Sequence, residues 1–473
     1  MDRIYFDKQI VSHLFKEKDS RYAKLLVDIM DSKQYLLFCY SHAHLLDLKN
    51  DKTPIKYDEL SFMSKIVDDN YLSYDAIEKN TSCYLASPQE AFEQVDSEDN
   101  AISFSGLFEN INLDYATPEQ AAQIESARKM LTEPSSLFDF SALQNLPEEQ
   151  KSLFNKLVPD KSGDSSMLDW LNYFAGFYRQ MNEEKDIYKG LRKIVDGGFN
   201  NGKFVVDYDD IDFNDDLKNS LIKKSFTDFV YDSLNHDGKK EVSTYDFHCN
   251  AYFMLDLLGI SKEPSKTVRF RNVMNDGFHS YYGAFCDYVV SDDNGFIKKS
   301  RVLYKLLGIE TKVFHIDDFI SYFVILKNSF ESDGRSFANL LMHDLSNSLV
   351  LGSKKSIKFN RTTTYLKPHH KYINHFNSLE NMVEDGVNYI LFSKKSKNYS
   401  RFDFYREYKL VIDNLIRLFG EDIDLKGDFK WEEEIKEINN RTWTGRRWQL
   451  GKLKLILEIN EGSEKFCMLI APN

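Results

Sequence analysis

The sequence predicts an α/β fold, and three observations carry that prediction. Residues 275–318 read as helix, strand, helix, strand, the order of a βαβ unit. The first 40 residues hold two further short apolar runs with a helical pattern between them. Acidic residues stand where these runs end, the place where open parallel sheets collect ligands and catalytic groups.

In the 275–318 stretch the spacing predicts a helix over about 276–285, a buried strand over 288–291, a helix over about 297–307 and a strand over 312–316. Asp292 and Asp293 directly follow the first strand, Asp276 opens the preceding helix, and Asp287 stands at the junction into the strand. If these carboxylates converge they raise one another's proton affinity, and a hard, oxygen-seeking cation such as Mg²⁺ or Mn²⁺ answers the repulsion. At the chain start, Arg3-Ile4-Tyr5-Phe6 is a short apolar run closed by Asp7. A helical pattern follows over about 10–30, then a second buried strand over about 35–40, then Ser41-His42-Ala43-His44-Leu45-Leu46-Asp47.

The series Asn275, Asp276, His279, Gly283, Ala284, Cys286 and Asp287, running into Val289-Val290-Ser291-Asp292-Asp293, resembles the carboxy-terminal half of PIN-domain nucleases. The resemblance implies a PIN-like three-layer domain with a parallel central sheet. It further implies metal binding by Asp7 at the end of the first strand, by Asp276 in the helix, and by Asp287 and Asp292, with Asp293 the substitute for Asp292. The family's second acid lies in the helix after the second strand, where Asp47 is the nearest match and Glu59 the fallback. His279, three residues after Asp276 on one helical face, is placed to touch a substrate phosphate or to orient Asp276.

Composition narrows the class. With 42% hydrophobic and 14% aromatic residues, a chain of 473 residues has ample material for two or three domains. No run of about 18 apolar residues occurs, so a membrane span is not expected. The start MDRIYFDK lacks the basic-then-apolar pattern of a secretory signal, and Cys39, Cys83, Cys249, Cys286 and Cys467 form neither a disulfide framework nor a zinc pattern. A reducing cytoplasm is the expected location. His42 and His44 read as hydrogen-bonding groups near the pocket, since no third ligand follows at metal spacing.

Between the two halves, residues 83–264 read as a helical insertion. Capping boxes with proline at the first helical position start at Ser87 and Thr117; further helices are expected over about 168–183, 186–195, 216–234 and 244–258. Turns are expected at Asp196-Gly197-Gly198 and His236-Asp237-Gly238. Ser233 to Gly238 imitates a calcium loop but begins with Ser, and Thr244 stands where the bidentate Glu belongs, so an ordinary turn is expected. Such an insertion shapes a substrate groove or offers a face to a protein partner.

After a helix over about 319–328, residues 335–473 read as a separate α+β domain: helices over about 337–351 and 404–418, strands over 356–359 and 389–393, and a closing hairpin over 451–460 and 465–471. The chain carries 74 acidic against 61 basic residues, a net charge of −13, which is no global nucleic-acid signature. Over 345–410, however, twelve basic residues face five acidic ones, interleaved with Tyr365, His369, His370, Tyr372, Tyr399 and Phe402. That is the composition of a surface that holds phosphates and stacks bases, with Lys354, Lys355, Arg361, Lys394 and Lys395 the substrate-binding candidates. Arg441, Trp443, Arg446, Arg447 and Trp448 make a second basic and aromatic cluster.

Two hypotheses follow. The first is an endonuclease cutting phosphodiester bonds, RNA favoured over DNA, with Asp7, Asp276 and Asp292 catalytic. Two divalent ions about 4 Å apart would activate water and steady the leaving oxygen. The long architecture looks like larger bacterial PIN-like proteins, some serving in anti-phage defence, more than like short toxins. The second is a catalytically silent PIN-like scaffold that binds nucleic acid or a protein partner.

Overall fold

The computed structural model describes residues 1–97, 188–190, 192, 212–220, 223–235, 241–261, 269–331, 333–460 and 465–473. These divide into two compact units. The first holds Met1–Val95, Ser243–Tyr245 and Phe278–Asn473; the second holds Asp96–Val242 and Asp246–Gly277.

The first unit contains a mixed six-stranded sheet. The start of the chain lays down β1 (Asp2–Phe6), α1 (Lys8–Phe15), α2 (Ser20–Ser32), β2 (Leu36–Ser41), α3 (His42–Asn50), α4 (Ile55–Val67), β3 (Asn70–Asp75), β4 (Asn80–Leu85) and α5 (Pro88–Ser97). The helix Phe270–Gly283 leads into β5 (Tyr288–Ser291), then the helix Asn294–Leu307, β6 (Lys312–His315) and the helix Ile316–Lys327. The sheet order is β4-β3-β2-β1-β5-β6. All neighbours pair in parallel except β3 with β4.

The helical pattern expected over about 10–30 is two helices. The chain breaks where Glu17 takes a φ of 43° and Asp19 caps α2 through the Arg21 and Tyr22 amides. β1 and β5 are buried along their whole length, which is why β5 and the second half of β1 read as apolar runs without alternation. Ile4 and Phe6 of β1 face one core with Phe38, Tyr40, Val290, Ile10, Leu14 and Phe319. Gly283 allows its helix to close on the opposite face of β5, because a Cβ there would meet Val289 Cγ2 at 2.5 Å.

Residues 335–473 build a second, antiparallel sheet of seven strands in the order β11-β12-β13-β10-β9-β8-β7. These are β7 (Leu349–Ser356), β8 (Arg361–Lys367), β9 (Ser378–Glu384), β10 (Val387–Ser393), β11 (Arg446–Leu450), β12 (Leu453–Asn460) and β13 (Lys465–Pro472). The expected hairpin is β12 with β13. The helix expected over about 337–351 ends earlier, as Gly334–Asn347, and Leu349 starts a strand instead. This sheet does not stand apart as an independent domain: its residues belong to the same unit as the parallel sheet. Arg3 of β1, fully buried, binds Glu407 at 2.5 Å on the helix Tyr405–Phe419, lies 3.7 Å from Asp403, and stacks its guanidinium 4.0 Å from the Phe404 ring.

In the second unit the described residues are helical, including Phe226–Leu234 and most of Thr244–Leu257. Buried Asp256 receives Tyr188 Oη at 2.5 Å and Arg192 Nη1 at 3.1 Å. The Ser87 capping box forms as expected, Ser87 and Glu90 exchanging hydrogen bonds. The expected features at Thr117, over 168–183, and at the turns 196–198 and 236–238 lie outside the described residues.

Candidate active site

The order β3-β2-β1-β5-β6 places a topological switch between β1 and β5, from which successive connections run in opposite directions along the sheet. The crevice outside the carboxyl ends of such a strand pair is where open α/β sheets bind ligands. Asp7 follows β1 and Asp292 and Asp293 follow β5, so all three stand at that edge.

Asp7 is 7% exposed and is the N-cap of α1, one carboxylate oxygen accepting from Ile10 N at 2.9 Å. The other oxygen accepts from the Ser291 hydroxyl. Burial pushes the Asp7 carboxyl up to about 6; the hydrogen bonds and His279 pull it down, and the nearby Asp293 carboxylate pushes it further up. Ser291 Oγ also accepts from Asp293 N at 3.0 Å, and Asp293 caps the helix Asn294–Leu307 through the Gly295 and Phe296 amides. One hydroxyl thus ties the two acids to each other.

His279, expected to touch a substrate phosphate or to orient Asp276, instead links Asp47 to Tyr5. At 3% exposure it is enclosed. Its Nε2 lies 3.1 Å from Asp47 Oδ2 and its Nδ1 2.7 Å from Tyr5 Oη, which in turn lies 2.7 Å from Ser41 Oγ. His44, in α3 and not on a strand, is buried; its Nε2 meets the Phe6 carbonyl at 2.8 Å, and burial lowers its proton affinity well below the ordinary range. His279 therefore positions Asp47, whose side chain remains 34% exposed. Of the two candidates for the second acid, Asp47 is the one His279 reaches, while the fallback Glu59 is occupied by Lys8 Nζ at 2.7 Å and Ser12 Oγ at 2.5 Å.

Two other assignments change. Asp292 points away from this group, toward His315 Nε2 at 3.2 Å and His13 Nδ1 at 3.8 Å, so Asp293 is the acid that Asp7 feels. Asp287 precedes β5 and therefore stands at the opposite, amino-terminal edge of the sheet from Asp7. It accepts from Arg3 N at 2.9 Å and pairs with Lys371 at 3.3 Å. Burial alone would raise its carboxyl, but Lys371, Lys394 and Arg3 hold it down at about 2. Asp287 cannot share an ion with Asp7. Asp276, partly buried, lies three residues before His279 on the helix Phe270–Gly283.

Asp7, Asp47 and Asp293 offer hard carboxylate oxygens, the donor set of Mg²⁺ and Mn²⁺, and Asp7 is a buried acid whose raised proton affinity a cation would reverse. Among the described residues, groups of three donors within 4.8 Å occur elsewhere, at His343, Asp344 and His369 and at His375, Asp403 and Glu407. The second of these is already neutralised by Arg3 and by Lys394, which donates to Glu407 at 2.6 Å.

That bond also removes Lys394 from the substrate-binding candidates, since its side chain is 6% exposed. Lys354, Lys355 and Lys395 are exposed. Arg361 pairs with Glu384 at 3.8 Å and lies over the Phe359 ring, beside Lys358. Two members of the second basic and aromatic cluster are interior: Arg446 is fully buried between Glu434 at 2.5 Å and Asp422 at 3.2 Å, and Trp448 is 1% exposed, whereas Arg441 and Arg447 are exposed and Trp443 is half-buried.

Protein-family models, curated proteins and solved structures contain no match to this chain. The functional reading rests on the site alone. Sequence reasoning missed Tyr5 and Ser291, both concealed in apolar strands. Their signal was a hydroxyl at a buried strand position, a group that must find a polar partner. No helix among the described residues is long and apolar enough to cross a membrane.

Proposed function

We propose that this chain is a PIN-like, metal-dependent endonuclease that hydrolyses phosphodiester bonds, with RNA the favoured polymer and anti-phage defence the role suggested by its architecture. The observation that carries the reading is that Ser291 joins Asp7 and Asp293 at the switch point of the sheet, while His279, whose charge Asp7 feels, holds Asp47.

Asp7, Asp47 and Asp293 would hold Mg²⁺ or Mn²⁺. The bound ions would supply an activated water and neutralise charge on the scissile phosphate. The chain's own residues do the rest. His279 fixes Asp47, Tyr5 fixes His279, and Ser291 holds Asp7 and Asp293 in register. The β7–β8 hairpin, with Lys354, Lys355 and Arg361 exposed or half-exposed, offers charge for a phosphate backbone.

A silent scaffold is the alternative, favoured by the pairing of Asp292 with two histidines and by the capping roles of Asp7 and Asp293, which need no cation. Cleavage of labelled RNA, with single- and double-stranded DNA in parallel, separates the two. The nuclease reading expects cutting in Mn²⁺ or Mg²⁺, none in EDTA, and none by Asp7→Asn. Retained RNA binding without cutting by the wild type supports the scaffold.

A further inference from the structure

We infer that a second site, distant in kind from the carboxylate group, binds a borderline transition ion, zinc by preference, between the helix Gly334–Asn347 and the connection from β8 to β9. At its centre is Asp344, whose side chain is fully buried. Three imidazoles from two chain segments converge on that one carboxylate. His369 Nδ1 lies 2.7 Å and His343 Nδ1 3.7 Å from Asp344 Oδ1, and His370 Nδ1 lies 3.4 Å from Oδ2.

Hydrogen bonding alone does not require so many. Oδ1 already accepts from the His369 amide at 3.2 Å and Oδ2 from Tyr372 Oη at 2.9 Å. The rings of His343 and His369 nevertheless meet edge to face with centroids 5.3 Å apart, and the buried Nε2 of His370 has no hydrogen-bond partner. Ligand atoms bound at about 2.0–2.1 Å to a tetrahedral ion lie roughly 3.3 Å from one another. The separations of His369 and His343 from Asp344 Oδ1, 2.7 and 3.7 Å, bracket that value, and one donor atom from each of His343, Asp344 and His369 lies within 4.8 Å of the other two. Imidazole nitrogen with one carboxylate oxygen suits Zn²⁺, Co²⁺ or Ni²⁺ and is a poor match for Mg²⁺. The ion would pin the β8–β9 connection to the helix. It would also add positive charge to a cleft of about 480 Å³ that His369 and His370 line together with Lys367, Lys371 and Lys395.

The test titrates the full chain, stripped with EDTA and desalted, with Zn²⁺ by calorimetry and with Co²⁺ by visible absorption. Wild type is compared with His343→Ala and His369→Ala, whose side chains are 58% and 53% exposed, and with His315→Ala as a control beside Asp292. The expected result is one tightly bound Zn²⁺ per chain and a Co²⁺ spectrum with imidazole-ligand bands. Affinity should fall at least about tenfold in each Asp344-site variant and stay unchanged in His315→Ala. Far-UV circular dichroism checks that the variants remain folded. Absence of Zn²⁺ binding by wild type overturns the inference, as does binding that survives both substitutions or is lost instead in His315→Ala.

Discussion

Replacing Asp7 by Asn should make the protein more stable and, on the reading above, inactive. Burial raises the Asp7 carboxyl to about 6, against an ordinary value of about 3.9. Between those values the native chain holds a proton that the unfolded chain has released, so stability falls as pH rises through about 4 to 6 and stays low above that window. Below about pH 4 both states are protonated and no cost arises. The gap corresponds to an upper bound of roughly 3 kcal/mol at pH 8. Asparagine abolishes the charge yet keeps the cap, since its carbonyl can accept from Ile10 N as the carboxylate does. Its amide can donate to Ser291 Oγ in place of the present bond. We expect a gain of about 1–3 kcal/mol at pH 8, seen as a thermal midpoint higher by several degrees, and no gain at pH 4. The melts belong in EDTA, because a bound divalent ion would stabilise the ionised carboxylate and shrink the difference. An Asp7→Asn protein less stable than wild type at pH 8, or stabilised equally at pH 4 and pH 8, would refute the reasoning.

Three further outcomes follow from the same contacts. Arg3→Met should destabilise the first unit by about 3–5 kcal/mol, because Glu407 and Asp403 lose a fully buried cation; denaturant unfolding measures it. His279→Ala should lower cleavage about 10–100-fold and raise the Mn²⁺ concentration needed for half-maximal activity, since Asp47 loses the imidazole that anchors it while Tyr5 keeps Ser41. The triple change of Lys354, Lys355 and Arg361 to Ala should weaken RNA binding and flatten its logarithmic salt dependence by about 2, whereas Lys394→Met should cost stability and leave that slope unchanged.

The parallel sheet was legible because its central strands are buried on both faces and its crossover helices keep a clear apolar period. The strand 288–291 is found where the pattern puts it. β7 escaped because it is solvated nearly throughout, with Leu349, Val350 and Leu351 57–63% exposed, so its apolar residues carry no alternation to read. Asp7 and Asp47 were legible from their place after β1 and β2. The pairing of Asp292 with His13 and His315, and of Asp293 with Ser291, was not, since adjacent residues after a strand turn to different sides and only tertiary partners decide their contacts. Asp287 misled for a similar reason: five residues before Asp292, it lies at the other end of the same strand. Lys394 and Arg446 looked like nucleic-acid contacts because sequence reports charge and not the buried acids that claim it.

The edge of the sheet at which chemistry occurs is the central claim, and two isosteric changes at opposite edges test it. Cleavage of labelled RNA in Mn²⁺ should be abolished by Asp7→Asn in a protein that is at least as stable as wild type. Asp287→Asn, which removes the charge that pairs with Lys371 while an amide oxygen can still accept from Arg3 N, should lose stability but keep wild-type cleavage per folded molecule. Full activity in Asp7→Asn, or loss of activity confined to Asp287→Asn, would contradict the account.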